Sequence, residues 1–233
     1  MSSSTLRMVY WKPMRIKNAR RQASAPAWMH KSSGKMAAVP HEAGVDEAGC
    51  GSLMGDLVAA AVILPKTYDT AGLDDSKKLS EKKRDAIGTK LRREVATIGI
   101  GKISREEIDA HGLGWARRAV FERALDALSE KEIAISIVVD GTGFFDGYNS
   151  ISDWKLEARA DSLYASVAAA SIIAKTERDA DIVRICDAHP EMAEQYGWRS
   201  NKGYPAPAHK KGIQMFGITE FHRRSFAPCK TFS

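Results

Sequence analysis

The chain has 233 residues, of which 44% are hydrophobic and 27% charged, as in an ordinary soluble globular protein with one sizeable core and a smaller appendage. No apolar run reaches the roughly 18 residues of a membrane span, because Leu57–Leu64 stops at Pro65 and Ala165–Ala174 contains two serines; no membrane partner is expected. Cys50, Cys186 and Cys229 form neither a paired framework nor a Cys-x-x-Cys spacing, which excludes a disulfide scaffold and structural zinc and points to a reducing, cytoplasmic compartment.

The net charge of +6 is unevenly placed. Residues 1–43 hold eight lysines and arginines against Glu42 alone, so this segment carries +7 and the rest of the chain −1. Together with Pro13, Pro26 and Pro40, that reads as a basic N-terminal arm without fixed structure, able to hold polyanions electrostatically. A functionless extension reads the same way. Its poverty in acids is shared by organellar transit peptides, although no amphipathic helix is legible.

Beyond the arm, Gly44–Gly49 and Leu57–Leu64 predict two buried strands. Ser80 then caps a helix over Glu81–Glu94, and Ala96–Ile103 predicts a third strand. A helix is expected over Glu106–Leu128, with Ile108, Trp115, Val120, Phe121, Leu125 and Leu128 near one stripe. Strands follow at Ile133–Val139 and Trp154–Arg159, then a helix over Leu163–Ala188 whose small residues suit close packing on a sheet. The pattern is α/β. Residues 44–190 are read as the main domain and 191–233 as a C-terminal extension, helical around Pro205–Phe216.

The chemistry concentrates at strand ends. Asp46 and Glu47 close the first strand and are followed by Gly49 and Gly51, which brings paired carboxylates and bare backbone amides to one place. Such a pair repels itself unless a cation or a proton neutralises it. The glycine spacing is wrong for a dinucleotide fingerprint, and the pair would repel a pyrophosphate. Asp140 repeats the setting, delivered by Ile135–Val139 to Gly141, and neighbouring strand ends of an open α/β sheet converge on one crevice. Asp161 stands just before a helix, where a carboxylate is also favoured by the dipole alone.

Seven segments, in order along residues 44 to about 228, carry a resemblance. They are Gly44-Val-Asp-Glu-Ala-Gly49, Asp75-Ser-Lys-Lys-Leu79, Val139-Asp-Gly141, Ala160-Asp-Ser162, Ala168–Lys175, Lys202-Gly-Tyr-Pro205 and His222-Arg-Arg-Ser-Phe226. The chain resembles the ribonuclease HII family. The resemblance implies a ribonuclease H-like fold: a five-stranded mixed sheet flanked by helices, with a small C-terminal helical extension. It implies an endonuclease cutting RNA in RNA/DNA hybrids and cutting 5′ of single ribonucleotides in duplex DNA, with 3′-hydroxyl and 5′-phosphate products. It makes Asp46, Glu47, Asp140 and Asp161 the catalytic, metal-holding carboxylates, for Mg²⁺ with Mn²⁺ as substitute. Hard oxygen ligands without a His or Cys cluster suit those ions, and a two-metal in-line displacement suits phosphodiester hydrolysis.

Tyr204 matches the tyrosine that stacks on the deoxyribose after the ribonucleotide, and Gly49, Cys50 and Gly51 the loop whose backbone meets the 2′-hydroxyl. Lys77 and Lys78 are candidate phosphate contacts; Arg223 and Arg224 could hold phosphates or dock the C-terminal part. The chain departs from the family pattern at Cys50, where Arg or Lys is usual, at Ser52 and Asp56 in place of prolines, and at Ala206 in place of Thr. A monomer is expected. The rival readings are another ribonuclease H-like nuclease, such as a resolvase or exonuclease, and a catalytically weakened nucleic-acid-binding relative.

Overall fold

The first strand, β1 (Glu42–Ala48), lies at the centre of a five-stranded sheet because its residues can be buried on both faces. The computed structural model describes residues 38–39, 41–95, 97–129, 134, 136–143, 145–148, 151 and 153–232. The arm up to residue 37, Ala96 and residues 133 and 135 of two expected strands therefore lie outside the described residues. Strand order is β3-β2-β1-β4-β5, with β2 Leu57–Ile63, β3 Ile98–Ile103, β4 Ser136–Asp140 and β5 Trp154–Glu157. The β3–β2 and β2–β1 pairings are antiparallel, whereas β1–β4 and β4–β5 are parallel, which makes the sheet mixed. The parallel pairing sets Val45 beside Val139, so that Asp46 and Asp140 leave the sheet at the same edge.

Both faces of β2 are covered, which explains its unbroken apolar run. Leu57, Ala59, Ala61 and Ile63 pack with Val45 and with Val120, Phe121 and Leu125 of helix α3 (Leu113–Ser129). Ala60 and Val62 pack on the other side against Leu91 of α1 (Glu81–Glu94) and the alanines and isoleucines of α4 (Ala165–Ala188). Ser80 caps α1, its hydroxyl accepting the Lys83 N–H.

The expected helix over Glu106–Leu128 is two helices, α2 (Arg105–His111) and α3. Gly112, with φ of 81°, ends α2, and a capping box of Ser104 and Glu107 begins it. The break shifts the phase of the stripe: Ile108, Val120, Phe121, Leu125 and Leu128 are buried, but Trp115 is 40% exposed.

Beyond α4 come α5 (Pro190–Gln195), α6 (Trp198–Asn201) and α7 (Pro207–Phe216). These share a core of Tyr196, Trp198 and Ile213 with Leu53, Met54, Ile182 and Cys229. No helix among the described residues is long and apolar enough to cross a membrane.

Candidate active site

Asp46, Asp140 and Asp161 come together at the common edge of β1 and β4, each offering a carboxylate oxygen within 4.8 Å of the other two. Asp46 and Asp161 are almost wholly buried, at 4% and 3% exposure. Two unit charges at that spacing repel by about 3.5 kcal/mol at an effective dielectric of about 20, so three ionised carboxylates cannot share the site without positive charge or protons. Burial, then the charges of Glu47 and Asp140, push the Asp46 carboxyl well above its usual range, against hydrogen bonds from Ser171 and the Glu47 amide. Asp161 is pushed up to about 6 by burial and by the neighbouring Asp140 and Asp75.

Backbone contacts fix these carboxylates. The Glu47 N–H donates to Asp46 Oδ1 at 2.7 Å, and the Ala160 N–H donates to Asp140 Oδ1 at 2.8 Å. The second bond ties the end of β4 to the 3₁₀ turn Ala160–Ser162 that carries Asp161. An all-oxygen donor set held this way suits a hard divalent cation.

Glu47 stands apart from the three aspartates. Its Oε1 accepts from Arg117 Nη2 of α3 at 2.7 Å, and its Oε2 is buried without a hydrogen-bond partner among the described residues. Burial raises its pKa, with the Arg117 cation opposing and Asp140 adding.

The lysines divide. Lys77 faces the cluster: partial desolvation disfavours its charge, but Asp46, Asp75, Asp161 and Asp140 outweigh that and raise its pKa. Lys78 instead donates to Asp74 Oδ1 at 3.0 Å and to Ser162 Oγ at 3.1 Å, with half of its side chain in solvent.

The glycine loop after β1 is held from behind by two buried arginines. Arg223 donates to Gly55 O, Gly49 O and Cys50 O at 2.9, 2.8 and 3.2 Å, so this arginine docks the C-terminal segment. Arg178 of α4 donates to Ser52 Oγ at 2.6 Å, and Gly49 packs so tightly on it that an added Cβ would meet Nε at 2.6 Å. The same guanidinium lies 4.7 Å from the ring centroid of Tyr204, with Lys175 Nζ at 5.0 Å. Tyr204 is half-buried, and its carbonyl lies 3.0 Å from His209 Nδ1. The Thr219 N–H donates to His222 Nδ1, which leaves the proton of a neutral His222 on Nε2, 3.1 Å from His209 Nε2. His209 Nε2 also accepts from Trp198 Nε1–H, so its own proton sits on Nδ1 and goes to Tyr204. Burial pushes the Cys50 thiol up, which makes it a poor nucleophile.

Sequence reading missed Arg117, Arg178, His209 and Ser171. Arg178 left little trace, because it sits among the charged residues Lys175, Glu177, Asp179 and Asp181 in the middle of α4. Arg117 left none, since Arg118 beside it on α3 pairs with Asp146 as an ordinary surface charge.

A mixed β3-β2-β1-β4-β5 sheet with buried carboxylates at its central strand ends defines a ribonuclease H-like nuclease. The profile of the ribonuclease HII family matches residues 43–229. A ribonuclease HII of Marinomonas sp. is 42% identical over 189 residues, 81% of this chain and 90% of the relative. That of Rhizorhabdus wittichii is 44% identical over 191 residues, covering 82% and 90%. The crystal structure of the ribonuclease H2 from Pyrococcus horikoshii superimposes with a TM-score of 0.68 at 26% identity, over 82% of this chain and 96% of that one. The chain belongs to the ribonuclease HII family.

Proposed function

We propose that the protein is a metal-dependent endonuclease that hydrolyses the RNA strand of RNA/DNA hybrids and cuts 5′ of single ribonucleotides in duplex DNA, leaving 3′-hydroxyl and 5′-phosphate ends. The observation that carries this reading is the cluster of three aspartates, two buried and one half-buried, with oxygens within 4.8 Å, whose mutual repulsion calls for a cation. Asp46, Asp140 and Asp161, with Glu47, would hold Mg²⁺ or Mn²⁺. Such ions, when bound, supply water activation and neutralise the charge that develops on the leaving 3′-oxygen.

The chain's own groups then place the substrate. Lys77, at the rim of the carboxylates, offers its ammonium to a backbone phosphate. The carbonyls of Gly49 and Cys50 are turned inward to Arg223, so contact with a 2′-hydroxyl falls to the outward backbone of Gly49, Cys50 and Gly51. Tyr204, fixed on Arg178 and Lys175, presents its ring to the next deoxyribose. We read residues 1–43 as an arm that adds nonspecific affinity for the duplex, and residues 191–233 as the extension that delivers Tyr204 and Arg223.

The test is to incubate the protein with Mg²⁺ and a labelled duplex carrying one ribonucleotide and to map the nick. A single cut 5′ of the ribonucleotide is expected, with Asp46→Asn and Asp140→Asn each slower by at least about 10²-fold, as loss of several kcal/mol of charge stabilisation requires. Near-normal cleavage by either variant, or degradation from an end, refutes the reading.

A further inference from the structure

Glu47 carries an asymmetry that an ordinary buried ion pair does not need. The carboxylate and the Arg117 guanidinium are both largely buried, at 10% and 18% side-chain exposure, so their contact is not a surface pair of small consequence. Arginine forks commonly grip both oxygens of a carboxylate. Here Arg117 Nη2 reaches Oε1 at 2.7 Å, while Oε2 is buried with no hydrogen-bond partner among the described residues. A buried anionic oxygen without a donor is costly, and folds keep such groups where a ligand completes them.

The position of the guanidinium narrows what that ligand is. A Cβ added to Gly141 would lie 3.6 Å from Arg117 Nη2, so the arginine also rests against the end of β4, one residue past Asp140. It thus spans the ends of the two strands that deliver Asp46, Glu47 and Asp140. One oxygen of Glu47 is fixed from the α3 side, and the other is left over on the residue that follows Asp46 at the end of β1.

We propose that Arg117 is a positioning residue for Glu47, holding Oε1 so that Oε2 is presented to a divalent cation at the aspartate cluster. The proposal rests on the metal-site reading above and adds to it a residue from a different element. Partners that hydrogen-bond a ligating carboxylate fix its orientation, and their loss weakens metal binding. A cation so close could act in the opposite sense, by repelling a metal ion or competing with it for Glu47. The two effects differ in sign.

The experiment is titration of the full-length, metal-free protein with Mn²⁺ alone, by calorimetry and by the electron paramagnetic resonance of free Mn²⁺, for the parent, Arg117→Ala, Arg117→Lys and Asp46→Asn. Arg117→Ala is expected to weaken Mn²⁺ binding by about 10- to 100-fold, with Arg117→Lys restoring most of the loss because it keeps a cationic donor. In cleavage assays Arg117→Ala should need more Mn²⁺ yet approach the parent rate at saturation. Unchanged or tighter Mn²⁺ binding by Arg117→Ala, while Asp46→Asn loses it, overturns the role of Arg117 and leaves the metal site standing. Failure of the parent to bind Mn²⁺ overturns both. Should Arg117→Ala not fold, the Lys variant decides: affinity as weak as that of Asp46→Asn, in a protein melting like the parent, contradicts rescue by charge and sinks the proposal.

Discussion

Replacing Gly44 by alanine tests how the site is braced from below. A Cβ on Gly44 would lie 2.1 Å from the Ser166 carbonyl carbon, 2.2 Å from the Val167 nitrogen and 2.6 Å from the Ser166 oxygen, where ordinary contact begins near 3.4 Å. At least about 1.3 Å must therefore open between β1 and the first turn of α4, and every clashing atom is backbone, so no side chain can swing away. Overpacking against adaptable neighbours costs about 1–3 kcal/mol. With no such relief the cost lies at or above the upper end, offset by about 0.4–1 kcal/mol from the stiffer unfolded chain. The expected net loss is about 2–3 kcal/mol, which for a chain of this length lowers the melting temperature by roughly 5–10 °C. Because Asp46 lies two residues beyond Gly44 and Asp161 just before α4, the same displacement should separate their carboxylates and weaken Mn²⁺ binding. Urea unfolding at 25 °C and a Mn²⁺ titration measure the two effects. A midpoint stability within about 0.5 kcal/mol of the parent would refute the claim that backbone contact, and not merely small side chains, holds β1 on α4.

Gly51→Ala makes a contrasting case: an added Cβ meets nothing within 4 Å among the described residues, so the melting point should be unchanged while cleavage at a single ribonucleotide falls, and equal activity would exclude close approach of a sugar there. Tyr204→Ala should slow single-ribonucleotide cleavage more than hydrolysis of a long hybrid, which offers many registers; equal losses on both substrates contradict a role in reading the junction. The carboxyl of Asp161 is raised to about 6 in the fold by burial and neighbouring acids, so the folded state binds more protons than the unfolded chain between about pH 4 and 6 and loses stability as pH rises through that window. The lowered pKa values of His209 and His222, caused first by burial, act in the opposite direction, so the whole protein's curve does not isolate the effect. The difference does: in EDTA, Asp161→Asn should stabilise the protein more at pH 7.5 than at pH 4.5, and a difference that is flat or reversed across pH contradicts the assigned repulsion.

The strand-end aspartates were legible because a carboxylate placed after an apolar run needs only the parallel order of β1 and β4 to meet its counterpart. Burial on both faces likewise made β2 plain from composition. The single helix expected over Glu106–Leu128 failed at one residue, since hydrophobic spacing runs through Gly112 although the backbone does not. Four equivalent carboxylates were expected, and the fold sets one of them, Glu47, on an arginine that lies 70 residues away in sequence and owes its position to α3 packing. Arg178 escaped for the same reason: its partners include a serine hydroxyl and an aromatic face, neither of which leaves a pattern of charge along the chain, whereas Arg223, expected either to hold phosphates or to dock the C-terminal part, is found on backbone carbonyls. Lys78, adjacent to Lys77 and of equal promise, is turned to Asp74 by a turn geometry that periodicity does not encode.

The tie between Arg223 and the carbonyls of Gly49, Cys50 and Gly55 also imposes an order of events during synthesis. The loop emerges from the ribosome among the first segments of the folded body, yet the guanidinium that turns those carbonyls inward is encoded about 170 residues later. Until residues 221–226 are made, the strands can pair and the aspartates can approach one another, but the loop beside them lacks its staple. A nascent chain therefore carries the carboxylates before it carries the arginine that shapes the loop beside them.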